Sequence, residues 1–256
     1  MPAESIEELF AETLREDYDA DAPWEAVSDL RKLGNREVFD CAATWCASQD
    51  SLKRARGADI LAQLGRDVGK PHSFPEESFD VVSALALHET EPLPLASAVS
   101  ALGHIGNPGA IPIVVAQRSH PDADVRFAVA CALGKFAKDP RAASALIQLA
   151  GDPNDDVRDW ATFALGEFSG LDTAEVRELF LRNLGDRSDD VRYEAIVGLA
   201  KRQDQRVVSA LIEVLSDADV TSTSLEAASA LLGQAEVPDW KPEDFITALR
   251  HKFRLC

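Results

Sequence analysis

His88-Glu89 is the pair in this chain best suited to metal chemistry, an imidazole beside a carboxylate. A metal centre needs several such ligands to converge. The histidines stand at 72, 88, 104, 120 and 251, and no ligand set assembles from that spacing. The cysteines, Cys41, Cys46, Cys131 and Cys256, contain no C-x-x-C pair, so neither a zinc site nor a disulfide framework is indicated. The sequence shows no phosphate loop, nucleophile elbow or Cys-His pair. What recurs is Asp-Val-Arg, in "DVRFAVACALG" from 124, "DVRDWATFALG" from 156 and "DVRYEAIVGLA" from 190. A carboxylate at a helix start meets unpaired amides and the positive end of the dipole. Catalysis needs a unique constellation, and this one is repeated. Asp124 with Arg126, Asp156 with Arg158 and Asp190 with Arg192 therefore read as scaffold.

Charge narrows the partners. The 256 residues hold 44 Asp plus Glu against 26 Lys plus Arg, a net charge of −18. That balance excludes sequence-independent binding to nucleic acid, where neutralising phosphates supplies most of the affinity. A basic protein or peptide is the electrostatically easier partner. No run approaches the length of a membrane span, and "MPAESIEELFAETLRE" lacks the basic and apolar regions of a signal peptide. A reducing cytoplasm is the expected location.

The elements that carry these residues are repeated too. Aligned on the "LG" closing each phrase, the chain gives Leu33, Leu64, Leu102, Leu133, Leu165, Leu199 and Leu232, at a nearly fixed step. Each unit holds two stretches of helical periodicity, as in Val191, Ala195, Ile196 and Leu199 followed by Val208, Leu211, Ile212 and Leu215. Seven helix pairs are expected at 5–34, 36–65, 75–104, 109–138, 140–170, 172–202 and 204–234, with a closing helix at 242–252. The one long step contains "GRDVGKPHSFPEESF" (65–79), whose Gly and Pro mark an inserted loop. Such pairs stack on their neighbours to bury a shared core, so the whole of 1–256 reads as one domain.

The phrases "DADVRFAVACALG", "NDDVRDWATFALG" and "SDDVRYEAIVGLA" resemble HEAT repeats of the short type found in phycobilin lyase subunits. The likeness is clear over 109–234 and degenerate over 5–108. There the Arg position holds Ala26 and Leu95, and Arg56 stands one residue out of register. The resemblance implies an all-α fold, a right-handed α-α superhelix (a HEAT-like solenoid) of about seven helix pairs plus a C-terminal helix. It implies a ladder pairing Arg126, Arg158 and Arg192 with aspartates of adjoining units. It also implies that second helices line the concave face. The iron-binding helical-repeat hydroxylases need several His-Glu pairs, and this chain has one. DNA glycosylases of this class need a basic face.

On the implied concave face, between about units three and six, the core pattern leaves free Phe127, Asp159, Trp160, Phe163, Tyr193 and Glu194, with His104 in the preceding unit. Aromatics flanked by carboxylates suit a protein partner; the alternative is that Trp160 and Phe163 fill the inter-repeat core. The expected function is a non-enzymatic binding or scaffold module without metal or cofactor. The second reading is an accessory lyase-like or chaperone-like factor acting on a tetrapyrrole or modified protein. The sequence does not set the oligomeric state.

Overall fold

The computed structural model describes residues 5–15, 17–66, 70–217, 220–234 and 236–254, so Cys256 lies outside the described residues. Among them there are fifteen α-helices, two short 3-10 turns and no β-strand. The chain divides into two compact units, 1–136 and 137–256.

The first unit holds α1 (Ile6–Glu12), α2 (Asp21–Leu33), α3 (Arg36–Cys46), α4 (Ser51–Ala62), α5 (Pro75–His88), α6 (Pro92–Ile105), α7 (Ile111–Ala116) and α8 (Ala123–Gly134). They pack as pairs, α1 with α2 through α7 with α8. The second members stack on one another, with α6 against both α4 and α8. The second unit holds α9 (Pro140–Leu149), α10 (Asp155–Glu167), α11 (Ala174–Asn183), α12 (Asp189–Lys201), α13 (Val208–Leu215), α14 (Ser222–Leu232) and α15 (Pro242–Phe253). Here α12 packs on α10 and α14, and α15 covers α13 and α14.

Local chemistry sets the helix starts. Asp50 accepts hydrogen bonds from the Leu52 and Lys53 amides, and Asp122 from those of Asp124 and Val125. Asn154 accepts from Val157, while Pro75, Pro92, Pro140 and Pro242 open their helices. The apolar stripe follows: Val125, Val129 and Leu133, then Val157, Ala161 and Leu165, then Val191, Ala195 and Leu199, all fully buried. Gly103 lets two second helices approach closely, since a Cβ there would sit 2.6 Å from the Ala132 Cα.

The repeat register differs from the sequence reading in the first unit. Leu33 is 48% exposed and Leu30 takes the buried place. Counted from the N-caps Asp50, Asp122, Asn154 and Ser188, the fourth residue on is Arg54, Arg126, Arg158 or Arg192, and the eleventh is Leu61, Leu133, Leu165 or Leu199. The repeat Leu of α4 is therefore Leu61 rather than Leu64, and its Arg is Arg54 rather than Arg56. "Leu-Gly" has two physical origins that the sequence spells alike. Gly34 and Gly65 have positive φ and end a helical segment, whereas Gly103 and Gly134 lie within helices as small packing residues.

The inserted loop runs into α5 at Pro75, where the third helix pair was expected to begin. Its described part is fastened to α4: the Ser73 amide donates to the Leu64 carbonyl at 2.8 Å, and His72 Nε2 lies 2.7 Å from the Leu61 carbonyl.

Candidate functional site

The Asp-Val-Arg arginines hold the scaffold, through partners other than the aspartates two residues before them. Each sends Nη1 to the carbonyl six residues upstream: Arg126 to His120, Arg158 to Asp152 and Arg192 to Asp186, each at 2.8 Å, and Arg54 to Ser48 at 3.1 Å. Arg158 then grips the next repeat, with Nε and Nη2 on the two Asp186 oxygens at 2.8 and 2.7 Å and Nη2 also on Asp155. Arg54 grips Glu89 in the same bidentate way, at 2.5 and 3.2 Å. Among the described residues, Asp124, Asp156 and Asp190 form no ion pair with these arginines; Arg192 pairs with Asp189. The reason is geometric: the accepting carboxylate stands two residues before an N-cap, where its oxygen also takes amides of the cap, as Asp186 takes that of Ser188 and Glu89 those of Thr90 and Glu91. The hydrogen bonds from Arg158 hold Asp186 below the usual carboxylate range. Glu89 is likewise low: burial works to raise it, and Arg54 with the two amides prevails. Half of the His88-Glu89 pair is thus a ladder residue, and His88 points out exposed. No group of three His, Cys, Asp or Glu side chains converges among the described residues, and none of the described helices is long and apolar enough to cross a membrane.

On the second-helix face of the second unit, α10 presents Asp159, Trp160 and Phe163, and α12 presents Tyr193 and Glu194. Trp160 is 37% exposed, and its ring lies 5.4 Å from that of half-buried Phe163, which meets Phe168 edge-on at 5.3 Å. Tyr193 is half-buried, its hydroxyl 2.5 Å from Thr221 Oγ1 at the start of α14. The carboxylates crowd. Burial, then the charges of Asp190 and Asp156, push Asp159 up to about 6. Burial, then Asp159, with smaller contributions from Glu167 and Asp190, pushes Glu194 up to about 7 against the opposing pull of Lys201. Lys201 itself is ion-paired with Glu167. Asp159 Oδ1 is buried without a hydrogen-bond partner.

His104 and Phe127 belong to the first unit, where they line a groove of about 560 Å³ along α6. Its floor rests on a network that sequence reasoning missed. Arg56, fully buried, donates to the Thr13 and Tyr18 carbonyls and lies under the rings of Tyr18 and Trp24, 4.1 and 4.9 Å from their centroids. Tyr18 donates to Asp59 Oδ2 at 2.7 Å, and burial followed by the Asp59 charge holds the phenol protonated by raising its pKa. With that proton spent, Ser97 Oγ donates to Tyr18 at 2.9 Å. Arg31 donates Nε and Nη2 to the Asp59 carbonyl. The available signal was two opposite charges, Arg56 and Asp59, three apart in the otherwise apolar stretch 55–62.

Comparison with known proteins fits this architecture. The family model for HEAT repeats matches residues 79–166 and 145–232. Protein YibA of Escherichia coli (strain K12) is 30% identical over 215 residues, 82% of this chain and 75% of YibA. The X-ray structure of E. coli YibA aligns with a TM-score of 0.74 at 27% identity, covering 98% of this chain and 92% of that one. The complex of CpcE and CpcF of phycocyanin lyase from Nostoc sp. PCC7120 aligns at 0.49 and 17% identity over 98% of this chain and 96% of that one, too distant to bear on activity or ligand. Repeat matches spanning 79–232 and a relative this similar over most of its length lead to one conclusion: the chain belongs to the HEAT-repeat family.

Proposed function

We propose that the chain is a non-enzymatic binding module, and that the α10–α12 face of its second unit takes a basic segment of a protein partner. The observation that carries this reading is Asp159, whose Oδ1 is buried and unpartnered beside other carboxylates. A buried polar atom without a partner costs about 1–3 kcal/mol. A lysine or arginine from a partner would satisfy that atom and relieve the mutual repulsion with Glu194. Trp160 and Phe163 stand alongside as apolar anchors, the residue types that dominate interface energetics. The net charge of −18 steers a cationic segment towards the chain.

The test is calorimetric titration with an Arg/Trp-alternating peptide and its Glu/Trp counterpart, at pH 5 and pH 8. The basic peptide should bind, more tightly at pH 8 where both carboxylates are ionised. Asp159→Asn with Glu194→Gln should weaken it at least tenfold, and raised salt should weaken it further. Equal affinity for the two peptides, or no loss in the double variant, refutes the reading.

A further inference from the structure

The groove in the first unit has a chemistry of its own. Its floor is built from small side chains, Ala62, Ala96, Ser97, Ser100 and Ala101, so it is open along α6 from Leu93 to His104. That is about 16 Å at the rise of an α-helix. Trp24 and Phe127 form apolar walls. The two ends differ in charge. Asp124 stands in the first turn of α8 and His104 in the last turn of α6, and Asp19 and Arg31 also line the groove. Around His104 the field is positive. Desolvation first, then the charges of Arg31, Lys135 and Arg66, lower its pKa, and no carboxylate opposes them. Arg66 donates to the His104 carbonyl at 3.2 Å, so it stands directly over this end. Arg31 is tied down by Nε and Nη2 on the Asp59 carbonyl, and its Nη1 meets no acceptor among the described residues. In a chain with 18 surplus negative charges, Arg31 lines this end of the groove, Arg66 reaches the His104 carbonyl, and Lys135 caps α8 three residues beyond Ala132, which packs against Gly103. Asp59, whose backbone carbonyl Arg31 holds, has its carboxylate already engaged by Tyr18 and Arg56.

We infer that this groove is a site for a small organic anion, a carboxylate or phosphate ester, with its oxyanion among Arg31, His104, Arg66 and Lys135 and its apolar body between Trp24 and Phe127. An oxyanion there gains charge-assisted hydrogen bonds from a preorganised guanidinium, the geometry for which arginine is favoured. The volume falls within the range of sites for small ligands. The Asp124 end repels a second anionic group and so fixes the ligand's direction. This site lies outside the surface assigned to the basic partner and does not depend on it.

Phenyl phosphate, phenylacetate and neutral benzyl alcohol are the probes, titrated into the isotope-labelled full chain and followed by amide chemical shifts. The anions should saturate with shifts centred on Gly103, His104 and Ala128, and benzyl alcohol should bind at least tenfold more weakly. A preference for phenyl phosphate identifies a phosphate ester, and one for phenylacetate a carboxylate. Arg31→Gln should weaken the preferred anion at least tenfold. Because Arg31 also supports the fold, Arg66→Gln with Lys135→Gln is the safer variant, both side chains being exposed; it should weaken binding at least fivefold and leave the affinity for the basic peptide unaltered. Undiminished anion binding in that double variant, shifts centred elsewhere, or no saturation for either anion overturns the inference.

Discussion

The two units share a skeleton, and each carries a local patch whose charge is opposite to the other's. In the first, the charges of Arg31, Arg66 and Lys135 all act on His104 at the C-terminal end of α6 while Asp59 is spent on an internal network. In the second, Asp159 and Glu194 face each other with their charges unneutralised, and the one adjacent lysine, Lys201, is paired with Glu167. Beneath both runs the same device, an arginine reaching back to its own turn and forward to the next repeat. The core and the ladder fix where a side chain stands, and the positions they leave free decide what it recognises.

The sharpest way to break this comparison is at the skeleton. Arg158→Ala strands Asp186, and Arg54→Ala strands Glu89, so each should cost about 3–5 kcal/mol, as for breaking a buried pair. Chemical denaturation that finds one expensive and the other free would show that the ladder is not common to both units. Next in size is Leu61→Ala, expected to cost about 2–5 kcal/mol, set against Leu33→Ala, an exposed site expected within about 0.5 kcal/mol. Similar losses at the two would undo the corrected register.

Surface effects are smaller and differ in sign. Glu194 has its folded pKa raised to about 7, so its contribution to stability is fullest below the unfolded value and is lost as pH rises through about 7. Glu194→Gln should therefore stabilise the second unit at pH 8 by about 1 kcal/mol, a figure reduced for partial solvent screening. It should do nothing of the kind at pH 4, and thermal melts at the two pH values decide. A further test, inside the structure as well as at its rim, uses the two tyrosines. Tyr18→Phe removes a donor to a buried carboxylate and should cost about 1.5–3 kcal/mol, whereas Tyr193→Phe loses a more exposed hydroxyl bond and should cost about 0.5 kcal/mol. Matching losses would mean that the polar floor of the first unit is no more demanding than the rim of the second.

The helices were legible because periodicity of Val, Ala and Leu and capping by Asp, Asn and Pro are local signals. Register was less so: Leu-Gly marks a helix end at Gly34 and a close approach at Gly103, and single-letter spelling does not separate them. The ladder's acceptors were legible only as aspartates of adjoining units, because the carboxylate that Arg158 uses, Asp186, lies in the following repeat's turn. The groove of the first unit was hidden by distance along the chain, Tyr18 and Ser97 being 79 residues apart. His104 and Phe127 were named from register alone, without the arginines and the network that give them a setting.

The ladder also has a missing rung. At the N-cap register α6 carries Leu95 in place of the arginine, and two residues before the cap of α8 stands His120 in place of a carboxylate. Both halves of the rung are absent together, and what joins α6 to α8 is the close approach of Gly103 to Ala132. Ion-pair rungs weaken as acid protonates their carboxylates, whereas apolar contact does not. Pulled from its ends, the first unit should therefore yield at the Arg54–Glu89 junction at lower force once the pH falls far enough to protonate Glu89, while the α6–α8 seam keeps its rupture force unchanged.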